Sequence, residues 1–247
     1  MMLRLRKLGA LTGYTLQARD GDIGKLEQIY FDDHYWSVRY FIVHTGGWLL
    51  GKDVLIAPPA VTRVDEENNR LEVALTREQV SNSPPIDTRL TVSRHYQQEY
   101  YRYYGWEPYW GSDAMFTPAP YVPPVAPGET EEPREPEHPH LRSSKEVRGY
   151  HIHALDGEIG HVEDFILEDP GWAVSYLVID TRNWLPGKSV LVAPAWIRHV
   201  DWARQEVTVN LSRDALQSAP PYDSSTILSR EYEAALHAHY GLDINGE

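Results

Sequence analysis

Four groups of residues in this 247-residue chain have types and spacings that could do chemistry: a set of histidines, two acidic turns, two matched lysines and a run of aromatic rings. His151 and His153 stand two apart, so on a strand they share one face, and His161 is close enough in sequence to approach them. Two or three imidazoles can ligate a transition metal. The chain contains an internal repeat, and Thr15, Gln17 and Lys25 fill the matching places in its first copy. The unit therefore folds without the histidines, and the expected reading is a solvated strand face with no metal. Asp20 and Asp22, with Asp156 and Glu158, flank turn glycines, where acidic residues serve turn geometry better than acid–base catalysis. Lys52 and Lys188 sit beside Gly51 and Gly187 and read as exposed turn lysines, with anion contact as the sharper reading. No nucleophile elbow or phosphate loop is present, and with no cysteine there is no thiolate chemistry. No catalytic residue, cofactor or metal is expected.

The aromatic run is the strongest candidate for partner contact. Tyr96, Tyr100, Tyr101, Tyr103, Tyr104 and Trp106 follow Ser93, which can open a helix, and Gly105 stands where a helix would end. Spacings of three and four place Tyr96, Tyr100, Tyr103 and Tyr104 on one face, with Tyr101 elsewhere. One helix face cannot hide all these rings, so the surplus reads as a contact patch.

The elements that position these residues occur twice. Gly13-Tyr14 recurs as Gly149-Tyr150, and later matches keep the same offset of 136 without a gap. Asp20-Gly21 matches Asp156-Gly157, Trp36 matches Trp172, and Trp48-Leu49 matches Trp184-Leu185. Val54-Leu55 matches Val190-Leu191, Pro84-Pro85 matches Pro220-Pro221, and Tyr104-Gly105 matches Tyr240-Gly241. Such self-similarity is a duplicated folding unit. Within each unit, short runs rich in β-branched and aromatic residues predict strands: Ile23 to Phe31, Trp36 to His44, Val54 to Ala57, Val61 to Val64 and Leu71 to Leu75. Thr76 and Ser212 are placed to cap short helices, and the Pro-Pro pairs break the chain after them. The reading is mainly β: two small antiparallel β-barrels, each followed by short α-helices. Repeat 1 with its helix covers 1–110, an acidic proline-rich linker covers 111–146, and repeat 2 with its helix covers 147–247.

Charge separates the copies. The chain carries −13 overall, of which residues 1–111 hold −1, residues 112–148 hold −3 and residues 149–247 hold −9. An acidic second half repels phosphate backbones, so direct nucleic-acid binding is not expected. Met1 to Leu11 lacks an apolar run of signal-peptide length, and no stretch is long enough to span a bilayer. The expected location is the cytoplasm, with peripheral contact at the inner membrane as the only membrane association.

The order Gly13-Tyr14, Asp20-Gly21-Asp22-Ile23-Gly24, Trp36 with Val38 and Tyr40, then Trp48-Leu49, Gly51-Lys52, Val54-Leu55, Ala57-Pro58 and Val64-Asp65 resembles the PRC-barrel domain. That family includes the cytoplasmic domain of the photosynthetic reaction centre H subunit and the C-terminal domain of the ribosome maturation factor RimM. The resemblance covers about residues 8–83 and 144–219. It implies PRC-type barrels that bind other macromolecules, with no common catalytic residue. The function expected is a non-enzymatic protein-binding or assembly adaptor. Its partners are proteins of unstated identity, and its repeats pair with each other or build a homo-oligomer. The resemblance also implies two alternatives: a peripheral factor of a membrane or photosynthetic electron-transport complex, and a ribosome or RNA-processing associated factor.

Overall fold

A computed structural model describes residues 4–84, 94–108, 141–181, 189–223 and 228–241. The structure is mainly β and contains two seven-stranded sheets. The first half holds β1 (Arg4–Lys7), α1 (Leu8–Leu11), β2 (Thr15–Ala18), β3 (Gly21–Asp32), β4 (Ser37–His44), β5 (Asp53–Ile56), β6 (Val61–Asp65), β7 (Arg70–Val73), α2 (Arg77–Ser81) and α3 (Arg94–Tyr104). The second half repeats them as β8 (Leu141–Ser143), α4 (Ser144–Val147), β9 (His151–Ala154), β10 (Gly157–Asp169), β11 (Val174–Asp180), β12 (Ser189–Val192), β13 (Ile197–Asp201), β14 (Glu206–Val209), α5 (Arg213–Ser218) and α6 (Arg230–His239). The sheet orders are β5-β4-β3-β2-β7-β6 and β12-β11-β10-β9-β14-β13. Each path is open among the described residues. The parallel pairs β2–β7 and β9–β14 occupy equivalent places.

Local chemistry explains most boundaries. Thr76 forms a full capping box with Gln79, and Ser212 caps α5 through the Ala215 N–H. Asp20 accepts the Arg77 N–H at 2.8 Å, and Asp156 accepts the Arg213 N–H at 2.8 Å. The acidic turns thus tie each hairpin to the helix that follows the sheet. At Gly24 a Cβ would stand 2.1 Å from the His44 carbonyl oxygen, and at Gly160 it would stand 1.9 Å from that of Asp180. Neither position has room for a side chain, which accounts for the recurrence of Ile23-Gly24 as Ile159-Gly160.

The seventh strand of each sheet comes from the other half of the chain. β1 pairs antiparallel with β10, matching Arg4 to Asp169 through Lys7 to Ile166. β8 pairs antiparallel with β3, matching Tyr30 to Ser143 through Asp32 to Leu141. The two exchanges are reciprocal, because β1 and β8 are equivalent segments at the 136 offset. Between the exchanged strands the two long hairpins touch directly. The Val38 N–H donates to the Trp172 carbonyl and the Val174 N–H donates to the Trp36 carbonyl, both at 2.7 Å. Both tryptophans adopt φ of 53°, the left-handed region that bulky residues rarely enter. The segment read as linker, 111–146, therefore ends in β8 and the first turns of α4, which belong to the first sheet and its core.

One hydrophobic core runs through both halves. Phe31 and Phe165 meet with ring centroids 5.6 Å apart, and Trp172 stands edge-on to Phe41 at 4.8 Å. Leu8, Leu11 and Val147, from the exchanged segments, are buried in the same core. Among the described residues no helix is long and apolar enough to cross a membrane.

Candidate interaction surface

Helix α3 lies across the outer face of the first sheet, over a smaller core made of Tyr30, Tyr40, Ile42, Leu55 and Ala57. Tyr100 is fully buried there. Its hydroxyl accepts from the Ala57 N–H at 3.2 Å and donates to the Leu55 carbonyl at 2.8 Å. Its ring stands edge-on to Tyr40 at 5.5 Å. Burial drives the Tyr100 hydroxyl pKa well above the usual phenol value and pushes Tyr104 up to about 12, so both hydroxyls stay protonated. Tyr101 is also buried, against Tyr40 and Trp106. Tyr96 is partly buried and donates to the Pro84 carbonyl at 2.8 Å. Tyr104 stacks on Trp106 at 4.6 Å and 15°. Tyr103 alone of the six is substantially exposed, at 41%, with its hydroxyl on the Gln79 carbonyl.

The structure therefore divides the aromatic run. Tyr100 and Tyr101 hold α3 to the sheet, and Tyr103 faces solvent. Tyr100→Phe should cost about 1–3 kcal/mol, because it leaves a buried N–H and a buried carbonyl without their shared partner. Urea denaturation checks this, and an unchanged midpoint would show that the bridge adds nothing. Pro85, Ser93 and Lys188 lie outside the described residues.

Helix α6 docks on the second sheet by different chemistry. Leu236 replaces Tyr100 and is fully buried. The Tyr176 hydroxyl donates to Glu233 at 3.1 Å and stands 3.0 Å from His237 Nε2. Trp196 packs on His237 and Tyr240 at 5.3 and 4.7 Å. The Tyr96 contact is retained, since the Tyr232 hydroxyl donates to the Pro220 carbonyl at 3.3 Å.

The junction of the two halves creates two equivalent open grooves, which the sequence did not reveal. One, of about 370 Å³, is bordered by Pro58, Pro59, Arg63, Asp169, Pro170 and Trp172. The other, of about 460 Å³, is bordered by His34, Trp36, Arg142, Arg198, His199 and Trp202. Arg63 corresponds to His199, and Trp172 to Trp36, by the repeat offset. The backbone frame is shared and the linings differ. The second groove gathers two arginines, two histidines and two tryptophans in a chain that is acidic overall. In it, Arg142 lies 4.0 Å over the Trp202 ring and donates to Asp33 at 2.8 Å.

The histidines singled out in sequence do not gather into a ligand set. His151 is exposed and contacts Glu158 at 2.8 Å, while His161, its ladder partner, lies 3.8 Å from Asp180. Instead the fold brings together Glu27, His44 and Asp53, whose donor atoms lie within 4.8 Å of one another. Sequence reasoning missed this group because its members stand on three different strands and each looks like an ordinary surface residue. A hydrogen bond to Asp53 raises the His44 pKa above the ordinary imidazole value. Lys52 is exposed.

No protein-family model matches this chain, and no curated protein matches it.

Proposed function

We propose that the chain is a non-enzymatic protein-binding or assembly adaptor built from tandem PRC-barrel-like units. The repeated glycine, tryptophan and Ala-Pro pattern supports the family reading, and so does the matching order of strands in the two sheets. In this reading each open sheet, curled on itself, is a PRC-type barrel. The single observation that carries the adaptor reading is the pair of equivalent junction grooves with different linings. A duplication that keeps its frame and diversifies its surfaces yields two docking faces held by one core. The proline-bordered groove and the arginine-histidine-tryptophan groove then take different protein segments. Tyr103 on α3 adds an exposed aromatic contact beside the first sheet, and Tyr and Arg are the residue types that dominate binding energy at protein interfaces.

The test is affinity capture with the tagged full-length chain, its variants Arg198→Glu and Tyr103→Ala, and mass spectrometry of what is held. Both substitutions fall on exposed side chains, so circular dichroism should stay at wild-type values, and Tyr103→Ala should lower the denaturation midpoint only slightly, by the loss of its hydrogen bond to the Gln79 carbonyl. The reading predicts that at least one variant loses a defined set of captured proteins, at a cost of about 2 kcal/mol or more for a dominant contact. Identical captured sets from all three proteins would remove these faces from the account.

A further inference from the structure

We propose that Glu27, His44 and Asp53 form a binding site for a divalent transition-metal cation of the zinc type on the first sheet. The three residues lie on the adjacent strands β3, β4 and β5. His44 and Asp53 are direct ladder partners. Glu27 falls at the register shift between Leu26 and Gln28, where β3 carries one residue more than β4. That irregularity brings a third donor to a pair that the regular ladder already aligns.

The donor set suits the ion. One neutral imidazole and two carboxylates supply nitrogen and oxygen ligands with a charge of −2, which a divalent cation neutralises. His44 Nδ1 stands 2.9 Å from Asp53 Oδ1. Two ligands bonded at about 2.0–2.2 Å to one tetrahedral metal are separated by roughly 3.4 Å, so the pair has to open by only about half an ångström and turn its lone pairs to a cation beside the line that joins them. His44 and Asp53 are partly exposed, which leaves an entry path and room for water to complete the coordination. Lys25, the ladder partner of His44, is turned to Thr15 Oγ1 at 2.9 Å.

The second half of the chain shows that the fold does not require this trio. Glu163, Asp180 and Ser189 stand at the matching positions, so the imidazole is replaced by a carboxylate and Asp53 by a hydroxyl. Glu163 instead contacts Lys7 of the exchanged strand at 3.5 Å. The donor set is therefore specific to the first copy, on a backbone the two copies share. Among the described residues it is the one group whose carboxylate and imidazole donors converge in this way.

The experiment is isothermal titration of the full-length chain with zinc chloride, and separately with calcium chloride, near neutral pH. The proteins compared are wild type, His44→Ala, Asp53→Asn and, as a control for scattered surface histidines, His151→Ala. The proposal predicts a single zinc site that weakens at least about tenfold in His44→Ala and in Asp53→Asn and is unchanged in His151→Ala. Calcium should bind far more weakly than zinc, because the imidazole favours a softer ion. Wild-type zinc affinity in His44→Ala would overturn the site. So would no zinc binding by wild type at millimolar metal, or calcium binding as tight as that of zinc. The three side chains are surface-accessible, and unchanged circular dichroism separates loss of ligand from loss of fold.

Discussion

Removing residues 1–11 should unfold the second half of the chain. These residues carry β1 and α1, which belong by sequence to the first repeat. Their ladder is with β10, about 160 residues away. Leu8 and Leu11 are buried in the shared core, and truncating such residues costs about 2–5 kcal/mol each. The Gly9 N–H also donates to Asp164 at 3.0 Å, and Asp164 is buried. The summed loss exceeds about 5 kcal/mol, a large part of the roughly 5–15 kcal/mol that holds an ordinary domain folded. Hydrogen exchange of 161–169 is the direct readout. The account predicts loss of protection along β10 and a collapse of cooperative urea unfolding. Normal protection there, with a midpoint close to that of the intact chain, would mean that β1 is dispensable trim.

Arg6→Ala is the sharpest single substitution. The Arg6 side chain is buried between the halves, with its Nε donating to Asp169 at 2.9 Å and its terminal nitrogen on Glu66. Asp169 is also buried. Taking the guanidinium away leaves a buried carboxylate without its cation, and such losses cost about 3–5 kcal/mol. The double change Arg6→Leu with Asp169→Leu should recover most of that, because an apolar pair avoids the desolvation that the ions suffer. Arg142 is the equivalent residue on β8, but its side chain is more exposed and it shares its charge between Asp33 and the Trp202 ring. Arg142→Ala should therefore cost less, about 1–3 kcal/mol. Equal effects of Arg6→Ala and Arg142→Ala on the denaturation midpoint would contradict this ranking.

Much of the fold was legible because its chemistry is local. Asp20-Gly21, Thr76 with Gln79, and the Pro220-Pro221 break act within a few residues of themselves, and each ended or began the predicted element. Gly24 and Gly160 stood out as matched glycines, and only the structure shows that a carbonyl fills the space. The exchanged strands were hidden for the opposite reason. β1 and β8 have four and three residues, too few for a period, and their partners lie more than 100 positions away. A strand that short carries no information about which sheet it will join. Gln97 masked the buried stripe of α3. It is fully buried together with Tyr100 and Tyr101, so the inward face runs through 97, 100, 101 and 104. A polar residue at one of those positions broke the apolar pattern and sent Tyr101 to the wrong side. The junction grooves and the Glu27–His44–Asp53 group exist only once strands and halves are assembled, and no spacing could have announced them.

Expression of the two halves as separate chains, residues 1–110 and 135–247, shows whether the halves fold only together. Each half then lacks one strand of its sheet and half of the common core. The account predicts that each alone is unfolded or aggregates. Mixed or expressed together, they should form a one-to-one complex with cooperative unfolding and the circular dichroism of the intact chain. Two halves that fold alone, and elute as separate species when mixed, would contradict it.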